Sequence, residues 1–144
     1  MEIPRNHKAR LSVSMQVLED TISDVESIIR STNQEKAMTE AVNNLSHWEK
    51  ALILKRIGEI KGLINHIAQN LDLEKRKEET RSRILGAMTI QQVNLEEIKS
   101  NRLRGYGEVP DELRGFLDPQ IDRMMNLIDA ICKIASSKHK NTGT

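Results

Sequence analysis

The chain has 144 residues, with 22 Lys and Arg against 21 Asp and Glu, and a net charge of +1. That length fits a single domain, 1–144, and so even a balance excludes a strong overall pull toward nucleic acid or an anionic membrane surface. Aromatic residues make up only 2%, so the apolar content rests on Ile, Leu, Val and Met, a composition suited to packed helices rather than to a β-sandwich.

The sum hides an asymmetry. Residues 11–49 carry two basic and seven acidic side chains, whereas residues 50–104 carry twelve basic and seven acidic ones. The longest wholly aliphatic run is the four residues from Ala51 to Leu54, far short of the roughly 18 that a spanning helix needs. No apolar segment opens the chain, and Cys132 is the only cysteine, so no intrachain disulfide is possible. Solubility and a cytoplasmic location are expected.

Residues 1–7 are expected to be flexible, with Pro4 before a helix start. Leu11, Met15, Leu18, Ile22, Val25 and Ile29 then alternate steps of four and three, the spacing that lines one side of an α-helix. Thr32 and Glu35 have the spacing of a capping box, which predicts a short amphipathic helix through Ala37, Met38, Ala41, Val42 and Leu45. Ser46 and Glu49 repeat that spacing, so residues 33–71 form either one helix or two.

The strongest helical pattern is residues 52–71, with a seam of Ile53, Ile57, Ile60, Ile64, Ile67 and Leu71. About 160° around the helix from that seam lie Ala51, Lys55, Gly58, Gly62 and Asn65. An exposed glycine inside a helix costs about 1 kcal/mol relative to alanine. Two of them one turn apart point to a face where a second backbone approaches, and these five residues are the candidate partner-binding strip.

Residues 74–83 contain no apolar side chain and therefore cannot face a core. They predict the charged tip of a helical hairpin, with Asp72 capping the returning arm. Lys75, Arg76, Lys77, Arg81 and Arg83 on this tip are the candidate nucleic-acid contacts, since phosphate binding requires only such charges. Glu74, Glu78 and Glu79 interleave with them as ordinary helical ion pairs, and no aromatic side chain is present to stack on bases. The returning arm, with Ile84, Leu85, Met88, Val93, Leu95, Ile98 and Leu103 inward, should end at Gly105. A loop with one short helical turn after Pro110 should follow. Asp118 as cap and Pro119 as first residue then predict the start of the last helix. Its apolar residues, Ile121 to Ala135, cover about half the circumference and should make it the most buried. Residues 137–144 are a polar, flexible tail.

No metal site or cofactor is expected. The carboxylate-before-histidine spacing of di-metal bundles fails at His47 and His66, which follow Asn44 and Leu63. Glu108 and Asp111, the one pair resembling the E-x-x-E magnesium ligands of all-α nucleotide pyrophosphohydrolases, are split by Pro110. His47, Lys50 and Ala51 are similar to the H-x-x-K-small pattern of histidine phosphotransfer domains, which are four-helix bundles of comparable size. The resemblance implies that His47 accepts a phosphoryl group and Lys50 helps to neutralise it. Glu49 departs from it, standing where that family has an apolar residue, and its carboxylate repels a phosphoryl group.

These observations predict an all-α, antiparallel bundle of four long or five shorter helices with a charged hairpin tip. The expected function is a non-enzymatic interaction module, an adaptor or regulatory subunit acting through helix packing on a protein partner or on itself, as a homo-oligomer. The alternatives are a nucleic-acid accessory protein using residues 74–83 and a phosphotransfer protein using His47.

Overall fold

The structure, a computed structural model, describes residues 1–137. Residues 138–144, most of the tail expected to be flexible, and His139 with them, lie outside the described residues. The fold is all-α, with five helices and one small two-stranded ribbon among the described residues. Where length suggests one domain, the helices gather into two compact units, Met1–Arg76 and Lys77–Thr144.

In the first unit, α1 (Arg5–Arg30) packs against α2 (His47–Asn70). Their four-three seams meet as expected, burying Ile29, Ile57 and Ile64, each worth about 1.5 to 3 kcal/mol of transfer free energy. Lys8 lies 3.7 Å from Asp72 and Glu26 lies 3.1 Å from Lys61. Rising positions on α1 thus meet falling ones on α2, and the pair is antiparallel. The expectation of a loose segment over 1–7 is corrected at its end. Helix begins at Arg5, because Pro4, with φ already at −55°, serves as cap and its carbonyl accepts the Lys8 N–H at 3.0 Å.

The expected helix over Ala37 to Leu45 is absent. In its place β1 (Gln34–Glu35) pairs antiparallel with β2 (Glu40–Ala41), and the Lys36 N–H donates to the Thr39 carbonyl at 2.7 Å to close the turn. So short an amphipathic stretch cannot meet the cost of helix nucleation without a packed face, and Asn43 ties the chain elsewhere. Its amide donates to the Ile29 and Ser31 carbonyls, each at 3.0 Å, and its backbone N–H donates to Asn33 Oδ1 at 2.7 Å. The end of α1 thereby finds a donor for one of its open carbonyls.

Of the two capping boxes in the sequence, only the second forms. Ser46 Oγ accepts the Glu49 N–H at 3.1 Å, and Glu49 Oε1 accepts the Ser46 N–H at 2.9 Å. Residues 33–71 therefore hold one helix, starting at His47. At the other end of α2, Asp72 is not the cap of a following helix. It adopts φ 49°, the Leu73 N–H reaches the Ala68 carbonyl at 2.9 Å, and the Asp72 N–H reaches that of Gln69 at 3.4 Å. This is a Schellman stop with aspartate in the place usually taken by glycine.

Residues 74–83, expected as a hairpin tip, run without helix to Glu79 and enter α3 (Thr80–Glu97) at Thr80. The second unit comprises α3, the short α4 (Ser100–Leu103), a 3₁₀ turn at Arg104–Tyr106 and α5 (Asp111–Ser136). α3 runs antiparallel to α5, with Arg81 at the last carbonyls of α5 and Lys99 3.5 Å from Asp122. Leu95, Val109, Ile121 and Ala135 form the buried centre, and Ile121 is 0% exposed. The expected start of the last helix at Asp118 is also corrected, since α5 begins after Pro110 and carries Pro119 inside it. Nor is α5 the thoroughly buried helix expected from its composition, because only one side of it is covered.

Candidate functional site

A connected polar group in the second unit is built around Asp118. Its Oδ1 accepts the Ser100 N–H at 3.0 Å and its Oδ2 accepts the Ser100 hydroxyl at 2.6 Å, so the carboxylate caps α4 from across the unit. Ser100 is buried, and two bonds to the charged form hold the Asp118 carboxyl below its ordinary value, the hydroxyl contributing most, then the backbone N–H, with Arg114 and Lys99 adding positive charge. Lys99 lies 3.4 Å from Glu96 and 3.5 Å from Asp122. Burial, the largest influence on its ammonium, pushes its pKa down, but the two carboxylates together outweigh it and the net movement is upward. These bonds fasten α4 to α5. No buried side-chain polar atom among the described residues is left without a hydrogen-bond partner.

In the first unit, a hollow of about 550 Å³ is lined by Arg5, Lys8, Ser12, Asp72 and Glu74 among others. Two cations and two carboxylates offset one another there, and neither charge sign of ligand is favoured. Among the described residues, no group of three or more His, Cys, Asp or Glu is placed to hold a metal ion.

The candidate partner strip on α2 is continuous and open. Ala51, Lys55, Gly58, Gly62 and Asn65 are all exposed, and a Cβ added at Gly58 or Gly62 would meet nothing within 4 Å. Of the candidate nucleic-acid residues, Lys75 and Arg76 belong to the first unit and Lys77, Arg81 and Arg83 to the second. Three of them are also engaged: Arg76 with Asp20 at 2.9 Å, Arg83 with Glu78 at 3.7 Å, and Arg81 with the Ile134, Ala135 and Ser137 carbonyls at 3.3, 3.1 and 3.2 Å. Arg81 thus places its charge at the negative end of α5. His47 is exposed at the first position of α2, and Lys50, one turn on, is half-buried. Glu49 between them is held by Ser46; the backbone bond contributes most, then the hydroxyl, to a carboxyl pKa below its ordinary value. A fixed negative charge therefore flanks the histidine.

What the sequence reading did not single out is the second apolar side of α5. Beside the buried row of Ile121, Met125, Ile128, Cys132 and Ala135 runs another: Leu113, Leu117, Gln120, Met124, Leu127, Ile131 and Ile134, in unbroken four-three alternation. Leu113, Met124, Leu127, Ile131 and Ile134 are 41% to 66% exposed. The signal was present in the sequence as apolar residues over half the circumference, more than a single neighbouring helix covers.

The whole chain repeats this excess. Its accessible surface is 12111 Å² for a mass of 16.4 kDa. A compact monomer of that mass exposes roughly 7,500 Å², and two separate compact bodies of half the mass roughly 9,000 Å² together. The seven residues outside the described set, even at the surface of a fully extended chain, would add only about 1,100 Å². No described helix is long and apolar enough to cross a membrane. No family model, curated protein or solved structure matches this chain.

Proposed function

We propose that the chain is a non-enzymatic helical interaction module, an adaptor or regulatory subunit that acts through helix packing and associates with itself. The observation that carries this reading is the surface of 12111 Å², which exceeds by roughly 2,000 Å², once the seven residues outside the described set are deducted, what two independently folded halves expose. Apolar patches beyond a few hundred Å² on a protein mark sites of association. In a reducing cytoplasm the single thiol, Cys132, is compatible with this role. The open strip of Ala51, Lys55, Gly58, Gly62 and Asn65 offers a further protein partner a place where its backbone can approach. The alternatives have less support. Arg76, Arg81 and Arg83 already hold oxygen partners, and His47 has a fixed carboxylate beside it.

Sedimentation equilibrium of the full chain at concentrations from about 1 to 200 μM tests the reading. The expected result is a mass that rises above 16.4 kDa and changes little with salt, since apolar contacts are not screened. A folded chain that remains a monomer throughout would contradict self-association. Binding to random duplex DNA that weakens steeply with salt would support the nucleic-acid reading instead.

A further inference from the structure

Resting on that reading, we infer that the outer seam of α5 is the surface through which two copies of this chain associate, helix against helix, parallel and in register. Three observations carry this. The first is periodicity. Leu113, Leu117, Gln120, Met124, Leu127, Ile131 and Ile134 alternate steps of four and three through three heptads, the spacing that keeps a seam facing another helix along its length. The inner row, Ile121 to Ala135, has its own neighbour in α3, so α5 carries two seams and only one is occupied within the unit.

The second is area. Five of its seven side chains, with Phe116 beside them, are 41% to 66% exposed, roughly 600 Å² of largely apolar surface on one copy. Two copies together then remove roughly 1,200 Å², the lower bound for a specific, stable interface. A second copy supplies a matching area and a matching periodicity by construction.

The third is Gln120, the one polar side chain in the row, exposed near its middle. Parallel, in-register pairing sets Gln120 against its own copy, where each amide both donates and accepts. The two antiparallel registers that align the row set it against Met124 or against Ile131, and either leaves the amide in an apolar layer, at the cost of an unmade hydrogen bond. A single polar residue in such a seam selects register and orientation.

Two variants of the full chain test the surface and its register separately. Leu127→Glu with Ile131→Glu places charges on two exposed positions and should preserve helicity in circular dichroism. It is expected to raise the dimer dissociation constant at least tenfold, while Val13→Glu with Val17→Glu, on an exposed face of α1, changes it little. Gln120→Cys in a Cys132→Ala background is expected to form a disulfide-linked dimer under mild oxidation. A wild-type chain that remains a monomer would overturn both this inference and the reading it rests on. A dimer unaffected by the α5 charges would overturn this inference alone. Failure of Gln120→Cys to cross-link, with Leu113→Cys linking to Ile131→Cys or Leu117→Cys to Ile134→Cys in a mixed sample, would overturn the parallel register.

Discussion

Asp118 and Pro119 have the local chemistry of a helix start, a carboxylate cap and then a proline, yet α5 runs through both. Pro119 lacks the N–H that would reach the Gly115 carbonyl, and the helix runs through the loss, with Ile121 fully buried two residues on. Asp118 does cap a helix, but that helix is α4, eighteen residues earlier in the chain. A carboxylate whose charged form is bonded in the fold has a folded pKa below its unfolded one. Its contribution is therefore complete above the ordinary carboxylate range and is lost as pH falls through the depressed folded value. Asp118→Asn keeps an acceptor for the Ser100 N–H and removes the titration. The variant is expected to be less stable than wild type at neutral pH, with the gap closing on acidification, as followed by urea unfolding at several pH values. A gap that stayed constant down to strongly acidic pH would show that the Ser100 bonds do not depend on the charge.

At the scale of the element, two segments with the same capping-box spacing have opposite outcomes. Ser46 and Glu49 precede a long apolar seam that buries Ile57 and Ile64 against α1, so the helix they start is held by packing. Thr32 and Glu35 precede nine residues with no comparable face, and Glu35 pairs with Glu40 in the ribbon, where like charges directly opposite are unfavourable. The ribbon is held instead by Asn43 reaching back to α1. Ser46→Ala is accordingly expected to lower the unfolding free energy by about 1 kcal/mol, and Thr32→Ala to change it by less than about 0.5 kcal/mol. Thermal or urea unfolding of the two variants checks this; equal losses would mean that the first box also forms. Residues 74–83 show the same dependence on context. The stretch is free of apolar side chains, but Arg81 is bonded to the end of α5, so the segment is not uniformly expendable.

At the scale of the whole molecule, the proposed function rests on the amount of apolar surface left in water. Seven hydrophobic residues are buried among those described, few for a chain of 144, and small cores of this kind are commonly completed by association. The α2 strip makes a prediction that separates folding from partner binding. Because nothing lies within 4 Å of an added Cβ at Gly58 or Gly62, alanine at either position is expected to stabilise the isolated chain by roughly 0.5 to 1 kcal/mol. Unfolding at low protein concentration measures that gain. If a second backbone docks on the strip, the same variants weaken association at high concentration, and leucine weakens it further.

Periodicity by itself determined the helical class and the α1 and α2 seams, because each depends on residues within a turn or two of one another, and it left the start at Ser46 open. It also carried the second row of α5 in plain view, although nothing in a single helix says which of two rows a neighbour will cover. Only the tertiary structure decided that Asp118 caps a distant helix, that Arg81 serves the end of α5, that Asp72 ends α2 in a left-handed turn, and that residues 34–41 form a ribbon. Except at Asp72, where the stop is made by local bonds to Ala68 and Gln69, a partner far along the chain, or a packed face that was missing, outweighed a local preference worth about 1 kcal/mol. Such partners have no fixed spacing, so a reading based on spacing does not find them.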